Sequence, residues 1–240
     1  MNGSDLGLGD RLFTAAVTVI LMCSAALALM HSSTFTIEDI EVRGNSYFTD
    51  GEIVAMAGLS DPGNIFRLNV RKSEESLEKS SKIERAAVRK QLPNSLVIEI
   101  AERRGVGLLP YNGVLCEIDA NGVVITDIED PSRVALPVLT GLVPTYLASG
   151  ERAQPARIVD AVRVVGQFDP NVLRLLRELN VADTANLVGH LVSGAMVVFG
   201  DSQGIPMKSS VLLSILSDSE RRGKTLTYID VSTPEASIAR

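Results

Sequence analysis

The longest apolar segment of the chain runs from Leu12 to Met30, nineteen residues without a charged side chain. As an α-helix it is about 28 Å long, close to the roughly 30 Å thickness of a bilayer's hydrocarbon core. Another long uncharged segment, 134–150, is interrupted by prolines and glycines. The pattern predicts a transmembrane helix over residues 12–31, preceded by a short tail at residues 1–11.

Two features decide what kind of membrane segment this is. A cleaved signal peptide has a shorter apolar core, about 7–15 residues, and a small-x-small site, for which Ala26-Leu27-Ala28 would serve. The length favours an uncleaved anchor. Arg11 precedes the helix and the next basic residue, Arg43, lies far beyond it, so the positive-inside rule favours a cytoplasmic N-terminus. We therefore expect a single-pass inner-membrane protein with an extracytoplasmic C-terminal part.

Residues 35–104 show the patterns of a small α+β module. Leu96, Ile98 and Ile100 alternate with more polar residues, which indicates a strand with one buried face. Thr49 and Glu52 stand at capping-box spacing and predict the start of a short helix. The predicted order is strand, helix, helix, strand, strand, with these ranges: Ile37–Val42, Thr49–Gly58, Val70–Ser80, Ala87–Leu92 and Leu96–Glu102.

Residues 105–240 predict a second, mixed α/β domain with an antiparallel sheet, so the fold class is α+β. Gly105–Pro110 is interpreted as a boundary or bend, and Pro131–Pro144 as a loop. Asp169-Pro170 predicts the start of a helix that continues through Leu179. The other predicted elements are strands at Val114–Ile118, Val123–Ile125, Leu187–Val192, Ala195–Phe199 and Leu226–Val231, and helices at Pro155–Phe168 and Pro206–Leu216, the last followed by a charged loop, Asp218–Lys224.

Composition and charge exclude several functions. A net charge of −6 argues against a nucleic-acid partner, which requires clustered Lys and Arg. Cys116 has no neighbouring thiol or histidine for a zinc motif, and Cys23 lies in the membrane segment. His190 is predicted as an ordinary strand residue, and the acidic residues 127–130 as a solvated loop. We predict no active site, no metal, no cofactor and no small-molecule substrate.

Two stretches of the first module resemble the POTRA module of the FtsQ/DivIB family of bacterial cell division proteins. They are Ile40-x-Val42-x-Gly44-Asn45 and Pro93-x-x-Leu96-x-Ile98-x-Ile100-x-Glu102-Arg103. Further stretches resemble the second domain of that family in order and spacing. They are Cys116-Glu117-Ile118-Asp119-x-x-Gly122, Leu136-Pro137-x-Leu139-x-Gly141, Val197-x-Phe199-Gly200 and Tyr228-Ile229-Asp230-Val231.

The resemblance implies a non-enzymatic scaffold of the division machinery, located at the septum. It links septal wall synthesis to small coiled-coil membrane partners of the FtsB/DivIC and FtsL types, which add a strand at the C-terminal sheet edge. The residues that would form this partner-binding edge are Thr227, Tyr228, Ile229, Asp230, Val231, Ser232, Thr233, Ala236 and Ile238. Ser232-Thr233 depart from the Arg-Tyr common there in the family. The alternatives are a periplasmic POTRA-type chaperone for unfolded or secreted chains, or a last strand that merely completes the core.

Overall fold

The computed structural model describes residues 8–233 and 237–239. These residues fold as two compact units: residues 8–78 with 85–102, and residues 79–84 with 103–233 and 237–239. The N-terminal helix α1 spans Leu8–Met30. Its stretch Leu12–Met30 is the one helix of the described residues that is long and apolar enough to cross a membrane.

The first unit has the predicted element order. After α1 and a short 3-10 helix, Ser33–Phe35, a three-stranded sheet has the strand order β1-β3-β2, with β1 and β3 parallel. Leu96, Ile98 and Leu77 are among its fully buried side chains. The element bounds are β1 Asp39–Arg43, α2 Asp50–Met56, α3 Val70–Leu77, β2 Ile83–Gln91 and β3 Ser95–Glu102.

Local sequence signals explain the connections of this unit. The predicted capping box is present: Thr49 accepts a bond from the Glu52 N–H, and the Glu52 carboxylate accepts one from the Thr49 N–H. After β1 the chain turns at Gly44, with φ of +85°, where a Cβ would overlap the Ile100 carbonyl oxygen. Only glycine meets both requirements, which accounts for the Gly44-Asn45 motif.

The second unit is built on a nine-stranded sheet of order β12-β11-β10-β9-β8-β7-β4-β5-β6. Most pairs are antiparallel, but β10–β11, β4–β7 and β7–β8 are parallel. The strands are β4 Gly105–Tyr111, β5 Val114–Asp119, β6 Val124–Ile128, β7 Val138–Thr140, β8 Leu176–Asn180, β9 Leu187–Leu191, β10 Met196–Gly200, β11 Tyr228–Asp230 and β12 Ser237–Ala239.

Three helices accompany this sheet: α4 Ala156–Val165, α5 Pro170–Leu175 and α6 Ile205–Arg221. The predicted apolar face of α4 is buried, including Ile158, Val162 and Val165 at 0% exposure. These side chains join the core formed by residues of the sheet. A second 3-10 helix, Pro131–Arg133, follows β6.

The bend predicted at Gly105–Pro110 is wrong, because these residues form β4; the two compact units divide just before them, between Glu102 and Arg103. Gly107 is needed in the strand since a Cβ there would overlap the Leu139 side chain of β7. Pro110 is tolerated at its position. The Leu108 N–H donates to the Pro137 carbonyl, on the β7 side of the strand. Two residues later, the Pro110 nitrogen faces the same side, but β7 no longer pairs with β4 there, so no hydrogen bond is lost.

The helix predicted to continue through Leu179 is also wrong. Helix α5 ends at Leu175, and Leu176 to Asn180 form β8, between β7 and β9. A shift in register between Leu176 and Glu178 inserts an extra residue. Leu176 and Leu179 therefore both face the core at a spacing of three, which imitates a helical period.

Three further ranges differ from expectation. The loop predicted at Pro131–Pro144 contains β7, a three-residue strand too short for a pattern. Helix α6 extends to Arg221, into the predicted charged loop, and Asp218 forms an i,i+4 ion pair with Arg222 at 2.8 Å. The last predicted strand shortens to Tyr228–Asp230, and a separate strand, β12, follows it.

Candidate partner-binding edge of the second unit

Strand β11 lies one position inside the end of the nine-stranded sheet. It pairs in parallel with β10 and antiparallel with β12, which places Tyr228 opposite Ala239, Ile229 opposite Ile238 and Asp230 opposite Ser237. The predicted strand 226–231 is therefore not itself the edge. The edge strand is β12, which includes the predicted residue Ile238.

The predicted site residues divide by their surroundings. Ile229 and Val231 are buried, at 0% and 2% exposure, so their side chains hold β11 on the core. Tyr228, Asp230 and Ser232 are half-buried, while Thr227 and Thr233 are exposed. Ile238 is 52% exposed. Ala236 lies outside the described residues.

The polar side chains of β11 interact with one another on one face. The Tyr228 hydroxyl donates to the Asp230 carboxylate at 3.3 Å, and the Ser232 N–H donates to the same carboxylate at 2.9 Å. Hydrogen bonds from Ser232 lower the pKa of Asp230. Partial burial, followed by the nearby charge of Asp230, raises the pKa of Tyr228. Asp230 is thus a fixed negative charge at neutral pH beside the sheet edge.

The backbone of β12 has one residue whose polar groups face outward. Met196 donates its N–H to the Thr227 carbonyl and Val231 donates to the Val198 carbonyl, which directs Ile229 to β10, whereas the Thr227 N–H, just before β11, donates to the Ala239 carbonyl of β12. Tyr228 and Asp230 are consequently directed to β12, opposite Ala239 and Ser237. By the alternation of an antiparallel pair, the N–H and C=O of Ile238 point to the open side.

A groove of about 300 Å³ lies beside this edge, between α6 and β12. Its apolar lining comes from Ile215, Leu226 and Ile238. Its charged rim consists of Asp218, Arg222 and Lys224. An outward backbone donor and acceptor therefore stand next to a cavity that could accept an apolar side chain.

The residues considered for a catalytic or metal-binding role lie in ordinary structural positions. Cys116 is buried, its thiol donates to the Asp127 carboxylate at 3.3 Å, and burial raises its pKa to about 11. His190 lies in β9, opposite Met196 and Glu178. Among the residues that the structure describes, no group of three or more His, Cys, Asp or Glu side chains is arranged to hold a metal ion.

Two parts of the candidate site were missed from the sequence. The extension of α6 supplies Asp218 to the groove, and the i,i+4 spacing of Asp218 and Arg222 was a usable signal for it. Strand β12 has only three residues, and its Ser-Ile-Ala alternation is too short to distinguish from a tail.

The fold and this edge define a class: a protein with an apolar N-terminal helix, a POTRA-type module and a second sheet unit with a short open edge. Family models agree on both units. Residues 35–103 match "POTRA domain, FtsQ-type", and residues 111–232 match "Cell division protein FtsQ/DivIB, C-terminal". The chain belongs to the FtsQ/DivIB family of cell division proteins, as the sequence motifs predicted.

Full-length relatives support the assignment. Cell division protein FtsQ of Syntrophotalea carbinolica is 26% identical over 95% of this chain and 82% of its own length. Cell division protein DivIB of Bacillus cytotoxicus is 25% identical over 90% of this chain and 82% of its own. FtsQ of Streptomyces venezuelae is 24% identical, with shares of 95% and 83%. The similarity thus extends over both units.

Proposed function

We propose that this protein is a non-enzymatic, single-pass scaffold of the division machinery. It captures the extracytoplasmic segment of a small coiled-coil partner of the FtsB/DivIC type, with FtsL-type proteins in the same assembly. The partner adds a β-strand to β12 at the C-terminal edge of the second sheet. The observation that carries the proposal is this edge strand, which is short and uncharged and has the outward polar groups of Ile238.

Strand addition explains how such a scaffold binds without an active site. An incoming strand bonds to the exposed N–H and C=O of an edge strand, and pockets beside the edge select its side chains. Here the groove between α6 and β12 would receive an apolar side chain against Ile215 and Leu226. Lys224 at its rim, next to the Asp218–Arg222 ion pair, would favour an acidic residue on the partner strand.

The proposed membrane location is supported by α1. The helix is consistent with a single-pass protein. In the proposed orientation the N-terminus is cytoplasmic, and both units lie outside the cell membrane and meet partners at the septum. A tagged copy should form a band at mid-cell in dividing cells. A diffuse envelope signal would contradict the division role.

Capture of the partner tests the edge directly. The Ile238→Pro variant loses the outward N–H and keeps the bonds of Ser237 and Ala239 to β11. Its control is Glu129→Pro, at an exposed position directly after β6 at the opposite edge of the same sheet. The tagged full chain is co-expressed with FtsB/DivIC-type and FtsL-type proteins, and the captured partner is quantified.

We expect Ile238→Pro to lower apparent affinity about tenfold, or about 1.4 kcal/mol. Glu129→Pro should keep capture intact. Equal capture by Ile238→Pro and the unmodified chain would refute strand addition at β12. Capture of unrelated unfolded chains in place of the partner would favour the chaperone function.

A further inference from the structure

Exposed apolar side chains are unevenly distributed over the first unit. Outside α1, its described residues include three exposed large hydrophobic side chains: Tyr47, Phe66 and Leu92, at 66%, 38% and 59% exposure. Two of the three lie at the end of the unit where the chain leaves α1. Their surroundings indicate what covers them.

The loop that carries Phe66 is hydrogen-bonded to the end of α1. The side-chain amide of Asn64 donates to the Met30 carbonyl at 2.8 Å. Met30 is the last residue of α1, and its carbonyl has no partner within the helix. The Asn64 carboxamide oxygen accepts the Phe66 N–H at 3.0 Å, so one side chain links the helix end to Phe66.

The connecting segment is held on both sides and is not a free linker. On one side, Ile65 donates to the Phe35 carbonyl and Ile37 donates to the Gly63 carbonyl, both at 2.9 Å. The Phe35 and Phe66 rings lie 4.9 Å apart. These contacts fix the loop 63–66 against the residues that follow α1.

On the other side, the same segment contacts the β2–β3 turn that carries Leu92. Glu38 donates its N–H to the Asn94 carbonyl at 3.0 Å, and the Asn94 amide donates back to the Glu38 carboxylate at 3.2 Å. Loop 63–66 and turn 92–94 therefore flank the chain within eight residues of Met30. Together they form the membrane-proximal end of this unit.

Tyr47 lies at the opposite end. Strand β1 runs from Asp39, paired with Ser95, to Arg43, paired with Glu99. Five residues of strand carry the chain about 15 Å away from α1. Beyond it, the Tyr47 N–H donates to the carboxylate of Glu102, at the far end of β3.

We propose that the membrane-proximal end of the first unit docks on the bilayer, with Phe66 and Leu92 inserted at the boundary of headgroups and acyl chains. The inference rests on the proposed membrane span of α1 and deepens it. Lipid is the occupant because loop 63–66 is bonded to the end of the helix that spans the lipid. The surface charges here are mixed, with Arg67 and Lys90 beside Glu38 and Asp61, so apolar contact and not headgroup charge drives docking.

Docking would change how the scaffold works. With two anchoring points on the membrane and a hydrogen-bonded connection, the first unit is held in one orientation on the bilayer surface. A unit that moves freely on a linker would present its surfaces to partners at many distances from the membrane.

The chain has no tryptophan, so one introduced tryptophan reports on its own surroundings. We would make Phe66→Trp, Leu92→Trp and, as matched exposed control, Tyr47→Trp in the full chain. Leu21→Trp, in the middle of α1, reports on membrane insertion. Each variant is reconstituted at low density in phosphatidylcholine vesicles, with and without phosphatidylglycerol and with and without bromine on the acyl chains.

We expect the Phe66→Trp and Leu92→Trp variants to emit at shorter wavelength than Tyr47→Trp and to lose intensity in brominated lipid, equally with and without phosphatidylglycerol. Leu21→Trp should be quenched most. Quenching confined to Leu21→Trp would overturn docking and leave the membrane span intact. An unquenched Leu21→Trp would overturn both docking and the membrane span of α1. Strand addition at β12 is tested separately, by partner capture. A blue shift without bromine quenching would indicate cover by a second copy and would also overturn docking.

Discussion

At one edge of the nine-stranded sheet lies β6, five residues long, and at the other lies β12, three residues long. The outer side of β6 is partly occupied by the chain itself. The Val124 N–H donates to the Glu151 carbonyl and the Gly150 N–H donates to the Val124 carbonyl. Arg152 forms a bridge with Val123. A loop at residues 150–153 thus covers the start of this edge.

The two edges also differ in charge. Strand β6 carries Asp127, and Glu129 and Asp130 follow it, whereas the three residues of β12, Ser237, Ile238 and Ala239, are uncharged and Arg240 follows them. Covering loops and charges are common means of preventing an edge strand from pairing with another chain. Among the described residues, β6 is therefore a covered and charged edge, the closed edge, and β12 is an edge without a covering loop or a charged residue, the open edge. This difference also predicts different roles in stability: β6 belongs to the framework, and β12 is dispensable for folding.

The largest effect is expected at a residue that holds the closed edge. Asp119, at the end of β5, accepts bonds from the backbone of Asn121 and Val123 in the turn to β6, and from Arg103 at 2.8 Å. Asp119→Ala leaves the mostly buried Arg103 without its partner and should lower the free energy of unfolding by about 3–5 kcal/mol. Chemical denaturation of the full chain in detergent measures it.

Glu129→Ala, on the same side of the sheet but exposed, is the control for that measurement. It should change stability by less than about 0.5 kcal/mol. If the Asp119→Ala variant were as stable as this control, the result would contradict the role of the closed edge in stability.

A smaller effect is expected from pH, again at the closed edge. The pKa of Cys116 in the folded chain is about 11, against an ordinary value of 9.0. The unfolded chain ionises first, so the stability from the neutral thiol is complete below about pH 9 and is lost as pH rises through about 11. We expect the unmodified chain to lose about 1–2 kcal/mol more than Cys116→Ala over this range, under reducing conditions.

Cys23→Ala controls for alkaline effects elsewhere in the chain. It should keep the same pH dependence as the unmodified protein. If Cys116→Ala loses as much stability as the unmodified chain, the buried thiol plays no part at this edge.

The smallest effect is expected at the open edge. Ile238 is 52% exposed, so Ile238→Ala should leave stability nearly unchanged. It removes an apolar contact with the incoming strand, worth somewhat less than about 1 kcal/mol, and should weaken partner capture about threefold. The control is Val114→Ala, an exposed apolar residue of β5 at 44%. If the two variants weakened capture equally, the result would contradict a specific role of β12 in partner binding.

Much of the first unit could be predicted from the sequence, because its signals are local. The capping box at Thr49 and Glu52, the alternation of Leu96, Ile98 and Ile100, and the turn at Gly44 each depend on neighbouring residues. The element order and the family followed from these patterns.

The second unit was harder because its elements depend on distant contacts. From the sequence alone, Gly107 indicates a bend, but the structure has a strand there because only glycine leaves room for the Leu139 side chain. Leu176 and Leu179 have the spacing of a helix because a bulge lies between them. At the candidate site, the range of β11 was approximately right, but β12 was missed. A three-residue edge strand is specified by the strand it pairs with and carries almost no pattern of its own.

Amide hydrogen exchange of the full chain, with and without its FtsB/DivIC-type and FtsL-type partners, tests strand addition at the open edge most directly. We predict that the amide of Ile238 exchanges rapidly in the free protein and becomes protected when the partners bind, while the amides of β6 exchange at unchanged rates. Protection that arises at β6, or that leaves Ile238 as exposed as before, would contradict the account.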